Sequence, residues 1–281
     1  MLETIGNRAT TKYLAGLIAL PFWLGMVNRT VAADMDYPLA VAADEKVVYV
    51  ADRYLPGIWK ISEGKRELYF KGDKKFRTPL NAIRCLTLDA KGRLLAGDSS
   101  TREVYRFNAE NKPEPLSKGG IGIPMGIACN KQGEIFVADL ETHRIMKIAE
   151  AGGEPTLFAE VPSPRGIAID AEDRLWVISH GKDQLLRIAA DGKIEPIVKG
   201  RPFQFPHTLV LDKKQNAYVV DGYAKAVWKA TATGNATKWV EGKPLINPVG
   251  LAWQGETLLI ADPHAKALFQ ADKDAKLTAF P

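Results

Sequence analysis

The chain has 281 residues, 38 basic against 33 acidic side chains, and a formal net charge of +5. With 46% hydrophobic and 25% charged residues it can bury a sizeable core, which excludes a disordered chain. The charge is too balanced, and too free of any basic stripe, for a nucleic-acid binder.

In chain order, residues 1–33 read as a secretory signal peptide. Arg8 and Lys12 precede an apolar stretch from Tyr13 to Val27, and Val31-Ala32-Ala33 gives a small-residue cleavage pattern. The apolar stretch is short for a spanning helix, which needs about 20 residues; a retained signal anchor is the alternative, and only then does a membrane enter. Export to the periplasm or medium is expected, with Asp34 first in the mature chain and 34–281 as one domain. The 248 mature residues carry 35 basic and 32 acidic side chains, net +3.

From Tyr37 onward the chain repeats. Short runs rich in β-branched and aromatic residues read as strands: Val47-Val48-Tyr49-Val50, then Leu86-Thr87-Leu88, Ile135-Phe136-Val137 and Leu175-Trp176-Val177. Turn residues such as Asp89-Ala90-Lys91-Gly92 and Asn130-Lys131-Gln132-Gly133 separate a first run from a second. A third run (Ile58-Trp59-Lys60-Ile61, Val104-Tyr105-Arg106-Phe107) and a weaker fourth (Leu68-Tyr69-Phe70, Lys238-Trp239-Val240) follow. The second run ends at Asp52, Asp98, Asp139, Ser179, Asp221 and Asp262, a period of about 41 residues. Six copies of four strands predict an all-β, six-bladed β-propeller with four antiparallel strands per blade. If blades coincide with copies, no strand is exchanged between the chain ends. Cys85 and Cys129 lie three residues out of register on equivalent strands, about 10 Å along a strand, too far for a disulfide; two free thiols are expected.

The clearest copy is Pro124-Met125-Gly126-Ile127-Ala128, Gly133, Ile135-Phe136-Val137-Ala138-Asp139, His143-Arg144-Ile145. It resembles NHL repeats and, more broadly, the SMP-30/gluconolactonase-like six-bladed propellers, over about Tyr37 to Phe280. That resemblance implies the fold but spreads over several functions: protein-binding modules, sensor domains, lactonases, and lyases such as virginiamycin B lyase.

The start of the first strand and the end of the second fall on one face, so they converge at one mouth of the channel, where a concave site is expected. The residues following the repeat proline there, which Ile83 replaces in blade 2, are Leu39, Arg84, Met125, Arg165, His207 and Val249. Arg84, Arg165 and His207 are not demanded by the repeat, and two guanidiniums favour planar anions; pairing with the Asp ring or simple solvation is the plain alternative. Blade 4 replaces the ring Asp with Ser179-His180, bringing His180 to the same mouth. Phe205-Pro206-His207-Thr208-Leu209 resembles the Pro-His element of the streptogramin lyases, which implies acid–base chemistry for His207, with His180 as its partner. The Glu those lyases use has no counterpart here. Tyr54 and Tyr223 are placed to stack on a sugar or peptide, and Trp59 and Trp228 to pack between blades. The Asp ring is best explained by accepting backbone hydrogen bonds, although it can also hold a divalent cation such as Ca²⁺ or Mg²⁺. No zinc ligand spacing occurs among the four histidines.

Three readings follow. The first is an exported binding or sensor propeller for a small anion, sugar acid or peptide. The second is a lyase or lactonase. The third is a protein-interaction module, whose partner binding would survive mutation of Arg84 and Arg165.

Overall fold

The computed structural model describes Met1, residues 35–75 and 77–280. The segment read as a signal peptide lies outside the described residues. The remainder forms six antiparallel sheets of four consecutive strands, one sheet per repeat copy. The innermost strands are Pro38–Ala43, Ile83–Leu88, Pro124–Cys129, Pro164–Ile169, Pro206–Leu211 and Gly250–Gln254. They pack beside one another around a central channel of about 570 Å³.

The core is divided into six clusters, each lying between two neighbouring blades. Ile167, Leu175, Val177 and Ile188 of blade 4 meet Phe136, Ala138 and Ile145 of blade 3. Trp176, Ile178 and Leu185 from the other face of blade 4 meet Leu209, Ala217 and Val219 of blade 5. Successive strand residues point to opposite faces, so a fully apolar second strand such as Leu175-Trp176-Val177-Ile178 serves two interfaces at once. That explains why these strands lack polar alternation.

Among the described residues, no sheet borrows a strand from the other end of the chain. Blades 1 and 6 close the ring through a cluster of the same kind, with Val41, Val50 and Trp59 against Ala252, Leu259 and Leu268. Lys266 Nζ reaches Asp36 Oδ1 across the same seam at 2.7 Å. Cys85 and Cys129 are both free; burial pushes each thiol up to about 12.

The ring aspartates act as latches between blades. Asp52, Asp98, Asp139, Asp221 and Asp262 are fully buried. Asp139 accepts hydrogen bonds from Gly122 N, Ile123 N and Thr142 Oγ at 2.8–2.9 Å, which ties the incoming linker to the turn after its own strand. Asp221 takes Gln204 N and Phe205 N in the same way, and Asp52 takes Asp36 N and Tyr37 N. Ser179 keeps the latch without a charge: its Oγ donates to Pro162 O at 2.7 Å and accepts from Gly181 N at 3.0 Å.

Candidate functional site

The latches determine which side chains reach the mouth. Each aspartate latch grips the backbone N–H of the residue two places before the post-proline position, so Tyr37, Phe205 and Asn247 are held at fixed points on the rim. One residue further on, the proline begins the inner strand. The ladder then skips the next residue in blades 1 to 5, as the register shifts at Pro38/Ala40, Ile83/Cys85, Ala138/Asp139, Pro164/Ile167 and Pro206/Leu209 show. A skipped residue is a bulge, and bulges re-aim side chains. Here they turn Leu39, Arg84, Met125, Arg165 and His207 toward the axis.

Two glycines let neighbouring bulges approach. A Cβ on Gly126 would stand 2.7 Å from Arg165 O, and one on Gly166 would stand 2.7 Å from His207 O and from Thr208 Cα. Glycine at these points lets the Arg165 backbone pack against blade 3 at Gly126 and the His207 backbone against blade 4 at Gly166.

The result is a cavity of about 210 Å³ at the mouth of the channel. Its wall carries Arg53, Arg84 and Arg165 together with Tyr37, Phe205, His207, Tyr223 and Asn247, and among the described residues it contains no carboxylate. Arg84, Met125 and Thr208 also line the channel beneath, so they form the floor between the two spaces.

None of the three arginines takes part in an ion pair among the described residues. Arg84 donates through Nε to Ser99 Oγ at 2.9 Å, which leaves its other guanidinium donors free. Burial, then the charges of Arg53 and Arg165, push the Arg84 guanidinium below its ordinary value; burial does the same to Arg165. Both stay protonated, as arginine does in proteins. The buried Arg165 Nε has no hydrogen-bond partner among the described residues. Buried polar groups ordinarily find a partner, so this donor is left unspent at the cavity wall.

Phe205 organises the wall. Arg165 lies over its face with 5.0 Å to the centroid, and Tyr223 stacks on it at 4.7 Å. His180 and His207 each approach the ring edge-on at 4.9 Å. The two histidines therefore share a neighbour. His207 faces the cavity, and burial together with Arg165 and His180 pushes it down to about 3, so it is neutral near pH 7. His180 stands behind the wall. Its Nε2 lies 2.8 Å from Pro206 O, an acceptor only, so Nε2 carries a proton; burial lowers its pKa, with Arg165 and Arg201 adding to the effect.

Tyr223 lines the cavity, whereas Tyr54 does not; it packs on Tyr37, which does, with ring centroids 4.5 Å apart. Trp59 is buried and donates to Asp52, and Trp228 packs against Phe203. His143 accepts from Ser163 N through Nδ1 at 2.9 Å, a contact from blade 3 to the linker that enters blade 4.

A divalent cation does not fit this donor set. Calcium takes six to eight oxygen ligands, several of them carboxylate. The mouth offers three positive charges instead, and the ring aspartates are sealed and occupied by N–H donors. Among the described residues no group of three His, Cys, Asp or Glu side chains converges as a metal site.

Sequence reasoning passed over Arg53, Tyr37, Phe205 and Asn247 as site residues. The last three precede the repeat proline, and Arg53 follows the ring Asp directly. Both positions are visible once the copies are aligned; the signal is the departure of these residues from Ala82, Ile123, Leu140 and Gly222 at the same places.

Comparison with known proteins agrees with this architecture. The model of the SMP-30/Gluconolactonase/LRE-like region matches residues 27–201. NHL-repeat-containing protein 4 of Homo sapiens is 33% identical over 57 residues, 20% of this chain and 46% of that protein, so the matched stretch spans less than half of the relative. The structure of virginiamycin B lyase from Staphylococcus aureus superposes with a TM-score of 0.67 at 18% identity, covering 88% of this chain and 84% of the lyase. A gluconolactonase from Xanthomonas campestris gives 0.71 at 14% identity, covering 88% and 87%. At such identities the likeness is one of fold.

Proposed function

The chain belongs to the SMP-30/Gluconolactonase/LRE-like family, and on that premise we propose that it is an exported binding or sensor propeller. Its mouth takes a small anionic ligand, of the sugar-acid or acidic-peptide kind, through a carboxylate. The observation that carries this reading is the convergence of Arg53, Arg84 and Arg165 on one cavity without an acidic partner. Planar guanidiniums in a partly desolvated pocket bind carboxylates through paired, charge-assisted hydrogen bonds. Tyr37, Phe205 and Tyr223 supply flat apolar faces for the uncharged part of the ligand.

The test is calorimetric titration of the protein with gluconate and short acidic peptides, against neutral glucose as control. Binding of the acids, and its loss in Arg84→Gln, is the expected outcome. Equal affinity for glucose, or intact acid binding in Arg84→Gln, overturns the reading.

A second reading, a lyase or lactonase, is favoured by His207, which stands on the same wall as the arginines with a ring that is neutral near pH 7. A base of such low pKa is weak until a bound anion raises it. Turnover of a lactone or cyclic depsipeptide that disappears in His207→Ala, with binding retained, would establish that reading instead.

A further inference from the structure

We propose that the mouth is built for a short dicarboxylate, with Arg53 and Arg84 holding one carboxylate and Arg165 the other. This rests on the reading of the mouth as an anion site and narrows the ligand class.

Placement of the guanidiniums carries the inference. Arg53 follows the latch of blade 1, and Arg84 sits on the inner-strand bulge of blade 2 beside it. Arg165 belongs to blade 4, with the Met125 side chain of blade 3 between it and Arg84 on the cavity wall. Arg84 is anchored through Nε to Ser99, and Arg165 is held flat on Phe205. The two groups thus rest on separate supports, Ser99 and Phe205, with an uncharged residue between their strands.

Charge points the same way. Three positive groups share one cavity, and no Asp or Glu lines it. Arg84 lies close enough to feel both other guanidiniums. One carboxylate leaves two of the three charges uncompensated, whereas two leave a single positive charge. Size sets the upper limit. A volume of about 210 Å³ corresponds to roughly seven water molecules at about 30 Å³ each, which suits a four- or five-carbon chain and excludes an oligosaccharide. Asn247 leaves a buried amide oxygen without a partner among the described residues, which suits a hydroxyl on the linking carbons.

The test compares three probes by calorimetry at fixed ionic strength: malate, 3-hydroxybutyrate and glycerol phosphate. Malate and 3-hydroxybutyrate have similar length and a hydroxyl, but differ by one carboxylate. Malate is expected to bind at least tenfold more tightly than 3-hydroxybutyrate. Arg165→Gln is expected to bring malate down to the level of 3-hydroxybutyrate while leaving the latter's affinity within about twofold. Equal affinity for the two acids in the unaltered protein overturns the dicarboxylate assignment and leaves the anion site standing. Tighter binding of glycerol phosphate than of malate overturns it in favour of one doubly charged group. Failure of all three probes, with circular dichroism showing the native fold, removes the anion site itself.

Discussion

The guanidinium of Arg165 lies over the ring of Phe205, 5.0 Å from its centroid. Phe205 is in turn placed by its own backbone N–H, which donates to the buried Asp221 at 2.9 Å. A latch belonging to the fold therefore sets the aim of a charge that belongs to the site.

Replacing Phe205 with Leu keeps the volume roughly constant but removes the face on which Arg165 rests. A cation–π contact at a partly desolvated site is worth about 1–2 kcal/mol. Anion affinity in the variant should fall about 5- to 30-fold, while the melting temperature moves by only a few degrees. The readout is a calorimetric titration beside a thermal melt.

Removing a latch should damage the fold first. Asp139 is fully buried and accepts from Gly122 N, Ile123 N and Thr142 Oγ. Burial opposes its charge, but the hydrogen bonds from Gly122, Thr142 and Ile123 outweigh that and hold the carboxyl below its ordinary value. Asp139→Ala leaves these donors without an acceptor and should cost about 3 kcal/mol or more, read as a lowered urea midpoint. Because the folded value is depressed, the stabilisation is present above the unfolded value of about 3.9 and is lost as pH falls through the lower folded value.

His207 gives a pH dependence of the same sign from the opposite cause, since here burial disfavours the charged form. Its folded value is pushed down to about 3, against an unfolded value of about 6.5. Between the two the unfolded chain binds the extra proton, so stability rises with pH across that window and is lost on acidification. His207→Gln should flatten the slope between pH 4 and 6.5 by on the order of 2 kcal/mol, discounted for the water that reaches the cavity wall. Urea midpoints measured across this range for the two proteins give the comparison.

Chelation should leave the protein unmoved. The cavity wall carries no carboxylate and the ring aspartates are occupied, so EDTA is expected to shift the melting temperature by less than a degree. A bound anion should raise it, by the equivalent of about 2.7 kcal/mol at a hundredfold excess over Kd. A clear EDTA-induced drop, restored by Ca²⁺ or Mg²⁺, would contradict the donor-set reading.

The blades were legible because a period of about 41 residues repeats both the hydrophobic runs and the Asp that closes the second one. Arg84, Arg165 and His207 were legible because they interrupt a position that Leu39, Met125 and Val249 show to be free of structural demand. Phe205 escaped notice for a physical reason. Its role comes from neighbours on blades 4 and 5 that are distant in the chain, His180 among them, and no local pattern encodes a ring surrounded on its face and edges. Tyr54 and His180 carried the right chemistry and missed the wall by one layer, each behind an aromatic residue that sequence spacing could not rank ahead of it.

Each aspartate latch binds main-chain N–H groups, and main-chain groups are the same whatever side chain they carry. The rim residues Tyr37, Phe205 and Asn247, and the bulged residues beside them, are therefore exchangeable without disturbing the bonds that hold them in place. Evolution can rewrite ligand preference blade by blade, one substitution at a time, while the melting behaviour of the scaffold stays nearly constant. A lineage of such proteins can share its architecture almost completely and still share no substrate.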